Sequence, residues 1–228
     1  MKHTILFLAA NPAGTDRLGL DREAHDIQAE LERAGHRDRF EFVTRWAVEP
    51  LDLLRELRKL RPTVVHFSGH GGSTSGTSQP GAPRRDIGGA NATAIGDPLD
   101  AETGLYFQGP DGHPRLVSAA ALEATFGAAG SSVKLVVLNA CYSEAQAQAL
   151  LAHVDCVVGM SGSILDDAAR AFAVGFYGGL GERESVEAAC KQGRAAIQLL
   201  GLRDGDRPQL AVRPGVNASR LVLAADPR

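Results

Sequence analysis

The sequence predicts an α/β fold, a mainly parallel sheet of about six strands with helices on both faces. Three observations lead there. Apolar runs of strand length alternate with stretches of helical periodicity along almost the whole chain. The strand segments are continuously apolar, as expected of strands covered on both sides. The composition, 44% hydrophobic and 22% charged over 228 residues, is that of a folded chain, at a size where one core forms readily. No internal repeat or second domain is apparent, so residues 1–228 read as one domain.

Thr4–Ala10 is the first strand, carrying Ile5, Phe7 and Leu8. The opening Met-Lys-His and this apolar run loosely imitate a signal peptide, but the run meets Asn11-Pro12, which suits a buried strand entering a turn. Leu20, Ala24, Ile27, Leu31 and Ala34 then mark one helical face, ending at Gly35. Phe40–Ala47 is a second strand. Pro50 opens the next helix, with Leu53, Leu57 and Leu60 on its inner face. Thr63–Ser68 is the third strand and runs into Gly69-His70-Gly71-Gly72. Residues 73–103 hold mainly small and polar groups with hardly any large apolar side chain, and are read as a flexible insertion.

Leu105–Gln108 and Arg115–Val117, joined by Gly109-Pro110-Asp111-Gly112, form a hairpin. Ala119–Phe126 is a short helix and Val133–Leu138 the fourth strand. Ser143 and Gln146 have capping-box spacing and start a helix through Leu150-Leu151. Asp155–Met160 is the fifth strand, and Asp166 or Asp167 caps a mostly apolar helix that stops at glycines 178, 179 and 181. Val186, Ala189, Cys190, Gly193, Ile197 and Leu200 lie on one face of a last helix. The tail beyond Pro208 supplies a sixth, edge strand.

The charge balance narrows the function. With 24 basic against 27 acidic side chains the formal charge is −3, which argues against capture of nucleic acid or an anionic membrane surface. No stretch reaches the roughly 18 apolar residues of a membrane span. Three cysteines without a CxxC pair point to a reducing, cytoplasmic setting with free thiols. Arg outnumbers Lys 20 to four, a bias that suggests a GC-rich bacterial genome.

In sheets of this kind function gathers at the carboxyl ends of the strands. His70 follows the third strand there, and Cys141 follows the fourth in the string LNACYS. These are the residue types of a cysteine nucleophile with a histidine acid/base partner. Cys141 also lies just before a helix N-terminus, which favours the thiolate. The Gly71 amide is placed to donate to an oxyanion. Cys156 and Cys190 fall within apolar elements and read as small buried hydrophobes, and His66, sharing a strand face with Ser68, reads as structural. A zinc site of His66, His70 and Cys141 lacks ligand spacing. The glycines after His70 lack the Lys-Ser/Thr of a phosphate loop. No cofactor or metal is expected.

The strings VVHFSGHGG and VVLNACYSEAQA, in this order and each ending a strand, resemble the two catalytic motifs of the CHAT family, bacterial caspase-like cysteine peptidases related to caspases and separase. Similarity extends through ILFLAANPAGTDRLGLDREAHDI and VVGMSGSILDDAARAFAVGFYGGLG, leaving out residues 73–103 and about the last twenty. The resemblance implies a caspase-like three-layer sandwich and a cysteine endopeptidase acting on a protein substrate, in a bacterial stress or anti-phage signalling system with a separately encoded activator. It implies His70 as the catalytic histidine, Cys141 as the nucleophile, the Gly71 and Cys141 amides as the oxyanion hole, and no acidic third member. Asn139, Ser161, Gly162 and Ser163 correspond to the border of the substrate pocket. Related metacaspases carry Asp where this chain has Asn139, so a strict preference for a basic P1 residue is not implied. The alternative is a catalytically silent caspase-like scaffold or signalling module, against which the intact His70 and Cys141 speak.

Overall fold

A computed structural model describes residues 2–73 and 103–224. The central sheet has six strands in the order β2-β1-β3-β7-β8-β9. They are β1 (His3–Ala10), β2 (Phe40–Trp46), β3 (Val64–Gly69), β7 (Leu135–Asn139), β8 (Cys156–Met160) and β9 (Pro208–Val212). All neighbours are parallel except β8 and β9, which are antiparallel, so the tail does form the expected edge strand. A second, antiparallel sheet joins β4 (Gly71–Ser73), β5 (Thr103–Gln108) and β6 (Pro114–Ser118). The hairpin is therefore β5–β6, and β4 is an addition: Gly71–Ser73 pairs with β5 where the sequence suggested only the glycines after His70 and the first residue of the insertion. The remainder of that expected insertion, residues 74–102, lies outside the described residues.

The two faces of the sheet separate residue by residue along β1. Ile5, Phe7 and Ala9 point into a core with α1 (Leu20–Arg33), α5 (Asp166–Gly181) and α6 (Val186–Leu199). Leu6, Leu8 and Ala10 point into the opposite core, under α2 (Pro50–Leu60), α3 (Ala119–Ala129) and α4 (Glu144–Leu150). The two-residue period of a strand produces this division directly. Both faces are apolar because both are covered, which is why the strands read as unbroken hydrophobic runs. Residues 218–224 close the first core: Ala218, Leu223 and Ala224 are buried, and Leu221 and Ala218 carbonyls accept from the Val186 and Glu187 amides at the start of α6.

Two expected caps are made differently. Ser143 does not cap α4 with its side chain. Its hydroxyl, fully buried, donates to Leu138 O at 3.1 Å and accepts from Met160 N at 2.9 Å, so it ties the end of β7 to the end of β8. Buried strand-end groups must find partners, and that demand outweighs the local capping pattern. Gln146 is buried and donates to Thr103 Oγ1 at 3.4 Å. Asp166 stands inside the first turn of α5, not at its cap, and its carboxylate accepts from Gly19 N at 3.2 Å.

Helices α5 and α6 approach closely because glycine faces glycine. A Cβ on Gly193 would stand 2.6 Å from Phe172 Cδ2 and 2.8 Å from Phe172 O, and one on Gly175 would stand 2.7 Å from Gln192 O. Gly193→Ala is accordingly expected to destabilise the protein by about 1–3 kcal/mol, the cost of overpacking a filled core. Chemical denaturation checks this, with Gly205→Ala as control, since the nearest atom its Cβ would meet is on the Gln198 side chain at 3.4 Å, ordinary van der Waals contact.

Candidate active site

The β3–β7 pairing sets the level of the two candidate residues, His70 and Cys141. Ser68 is the register partner of Asn139, the last pair of this ladder. His70 and Cys141 each lie two residues further, so they leave the sheet at the same edge, from adjacent strands and toward the same face. His70 is the one residue between β3 and β4, where the chain passes from the large sheet to the small one. The contact between the two segments is direct: a Cβ on Gly71 would overlap the Cys141 carbonyl oxygen and reach Ala140 Cβ at 3.5 Å. Only glycine permits that approach.

Each of the two candidate side chains is held by a backbone group. His70 Nε2 lies 2.7 Å from the Asp16 carbonyl oxygen, in the loop after β1. A carbonyl can only accept, so Nε2 carries the hydrogen and Nδ1 is left as the basic nitrogen. The Cys141 sulfur accepts from Ile164 N at 3.4 Å and lies 3.8 Å from Ser163 Oγ, both in the loop after β8. That loop is itself tied down, because Gly162 O accepts from Tyr142 N at 3.1 Å and Ser161 N donates to Arg207 O at 2.9 Å. Tyr106 N donates to His70 O at 2.9 Å. Gly71 thus falls on the alternate position of the β4–β5 ladder, with its N–H turned away from β5.

The three thiols differ as their positions suggest. Cys141 is partly exposed, while Cys156 and Cys190 are buried. Burial, aided by Asp155, pushes the Cys156 thiol up to about 12. Burial likewise raises Cys190.

Asn139 lies one pleat below Cys141, buried rather than open to the edge. Its Nδ2 donates to Glu23 Oε1 at 2.6 Å and to Ala169 O at 3.2 Å, leaving Oδ1 unpartnered among the described residues. His66 is also buried, with Nδ1 3.0 Å from Tyr177 Oη and Nε2 2.9 Å from Glu23 Oε1. Ser68 Oγ donates to Glu23 Oε2 at 2.5 Å. Burial pushes the Glu23 carboxyl up, but the bonds from His66, Ser68 and Asn139 outweigh it and hold it below its ordinary value. Glu23 is absent from the sequence-based site, although a signal existed: it interrupts the apolar face of Leu20, Ala24, Ile27 and Leu31, where a carboxylate requires polar partners.

A six-stranded sheet of this order, clad on both sides and with His and Cys at one carboxyl edge, is the fold of the caspase-like cysteine proteases. The chain belongs to the CHAT domain family, whose model matches residues 3–209. Among solved structures, the Drosophila initiator caspase Dronc is similar over 97% of this chain and 83% of its own, with a TM-score of 0.58 and 11% identity. A secreted C11 cysteine protease from Bacteroides thetaiotaomicron, solved with an irreversible peptide inhibitor, matches 87% of this chain with a TM-score of 0.55 and 11% identity. The match spans 60% of that protease's length. No curated protein matches the sequence. Among the described residues no helix is long and apolar enough to cross a membrane.

Proposed function

We propose that this chain is a cysteine endopeptidase in which Cys141 is the nucleophile and His70 the acid/base. The observation that carries the reading is the placement of the two residues at one level of adjacent strands β3 and β7, with Gly71 seated on the Cys141 carbonyl. The Cys141 thiolate attacks the scissile carbonyl, forming the C–S bond as the carbonyl π electrons move to oxygen. Backbone N–H groups of Gly71 and Cys141 hold that oxyanion. Collapse of the intermediate breaks the C–N bond, and protonated His70 Nδ1 delivers its proton to the departing amine. Water then attacks the thioester carbonyl while Nδ1 takes its proton, releasing the acid and restoring the thiol–imidazole pair. Asp16 O fixes the imidazole throughout, in the orienting role for which no acidic side chain is needed.

Ser161, Gly162 and Ser163 border the substrate pocket in this reading, and Asn139, buried and turned to Glu23 and Ala169, underlies it instead of lining it. Asn139 is neutral and buried beneath that pocket, so it brings no carboxylate there and gives no reason for a strict demand for Arg or Lys at P1. The substrate is a protein of the bacterial cytoplasm, and a separately encoded activator governs cleavage in a stress or anti-phage system. Family membership supports that setting. A fluorogenic peptide library varied at P1 tests the reading: turnover dependent on both Cys141 and His70 is expected, and turnover that survives their replacement overturns it.

The thiols give a second, simpler check. Brief iodoacetamide treatment of the native protein, followed by mass spectrometry, is expected to modify Cys141 first and to leave Cys156 and Cys190 intact. Preferential modification of Cys190 would contradict the assignment.

A further inference from the structure

We propose that Glu23 is a positioning residue for the His70/Cys141 pair, acting as a buried clamp that fixes the separation of β3 and β7 where the two strands part. The inference rests on the peptidase reading for its effect on turnover.

The backbone ladder between β3 and β7 ends at Ser68 and Asn139. Beyond it one chain turns through His70 into β4, and the other turns through Cys141 toward α4. No main-chain pairing of those two strands therefore sets the spacing of the reactive residues. The Glu23 carboxylate binds across this fork. Oε2 accepts from Ser68 of β3, and Oε1 accepts from both His66 of β3 and Asn139 of β7. Ser68 and Asn139 lie about 7 Å along their strands from His70 and Cys141, on the same face. The clamp thus sits directly beneath the site.

Its hydrogen atoms are determined by the partners. Tyr177, wholly buried on α5, has His66 as its hydrogen-bond partner among the described residues, so its O–H donates to Nδ1 and the Nε2–H is directed at Glu23. Asn139 Nδ2 faces two acceptors, Glu23 Oε1 and Ala169 O, so the amide cannot be reversed. Four elements, α1, β3, β7 and α5, are joined through one carboxylate in one arrangement.

Stability does not account for this carboxylate. Burying a charge is costly even when it is well bonded, and exchanging a whole buried ionic cluster for packed apolar side chains is often neutral or stabilising, whereas removing the carboxylate alone leaves the His66, Ser68 and Asn139 donors unpaired. A leucine at position 23 would extend the face formed by Leu20, Ala24 and Ile27. What leucine cannot do is hold Ser68 and Asn139 to a common point.

The test compares Glu23→Leu, Glu23→Gln and Ser68→Ala in the full chain. Glutamine keeps an acceptor for His66 and Asn139 and presents an N–H that the Ser68 hydroxyl can accept, so it preserves the clamp. Two readouts are taken on protein shown to be folded by a cooperative melt: kcat and KM on a cleaved peptide, and the rate of Cys141 alkylation by iodoacetamide below neutral pH. Glu23→Leu is expected to lower kcat about 100-fold, the scale of a misplacement of about 1 Å, with KM within about threefold and slower alkylation. Glu23→Gln is expected to retain kcat within about fivefold, and Ser68→Ala to lose about tenfold. A folded Glu23→Leu protein matching the parent in both readouts overturns the proposal, as does a Gln variant as impaired as the Leu variant. If Glu23→Leu does not fold, unchanged kcat in Ser68→Ala overturns it and the tenfold loss supports it. If the parent cleaves no peptide, the peptidase reading fails, and the alkylation rates alone decide whether Glu23 positions Cys141.

Discussion

Cys141→Ala is expected to remove peptide cleavage by about 10⁵-fold or more while leaving the fold intact, because a covalent mechanism has no substitute for its nucleophile. The side chain is partly exposed, and its hydrogen bonds among the described residues are long contacts to Ser163 and Ile164 in the loop after β8. Deleting the sulfur therefore sacrifices little packing, and the melting temperature should stay within about 2 °C of the parent. Measuring kcat/KM and thermal stability on the same preparation checks both halves. Full turnover in a folded Cys141→Ala protein would remove the thiol from the mechanism.

The second large effect is expected from Gly71→Ala, a change of one methyl group beside the site. The new Cβ has no room, since the nearest atom is the carbonyl oxygen of Cys141, a backbone group that cannot swing aside. Either the chain between β3 and β4 moves away from the β7–α4 turn, or the turn moves with the nucleophile on it. In the proposed mechanism both displace the Gly71 amide from the oxyanion, and loss of one such donor costs about 10²–10³ in kcat. Strain of this kind also lowers stability by about 1–3 kcal/mol. Gly72→Ala is the matched control. Its Cβ would meet the edge of the Tyr106 ring at 3.0 Å, away from Cys141. A kcat loss confined to position 71 is the expected pattern, and equal losses at both positions would point to general disruption of β4.

The main sheet and its helices were readable because their residues obey a single local rule each. Apolar runs made β1, β3, β7 and β8, and three- to four-residue spacing made α1 and α2, with boundaries displaced by one or two residues. What escaped depends on partners distant in sequence. Gly71–Ser73 contains no strand-forming side chain and becomes β4 only because β5 offers it a ladder. Ser143 has the spacing of a cap, yet the strand ends of β7 and β8 claim its hydroxyl. The placement of His70 and Cys141 just past two adjacent strands was legible from their position after apolar runs. Their supports were not, because Asp16 contributes only its carbonyl and Ile164 its amide, groups every residue carries. Glu23 was visible as a charge on an apolar face, but its three partners could be named only once β3 and β7 were paired.

The most direct measurement of the central claim is covalent capture by a peptide electrophile. The folded protein is incubated with a peptidyl chloromethyl ketone, which alkylates cysteine with loss of chloride once its carbonyl has been bound and polarised, and the adduct is located by mass spectrometry. The account predicts one inhibitor per chain, attached to Cys141, with the adduct lost in His70→Ala and strongly reduced in Gly71→Ala. A protein that remains unmodified, or one modified equally well without His70, would contradict it.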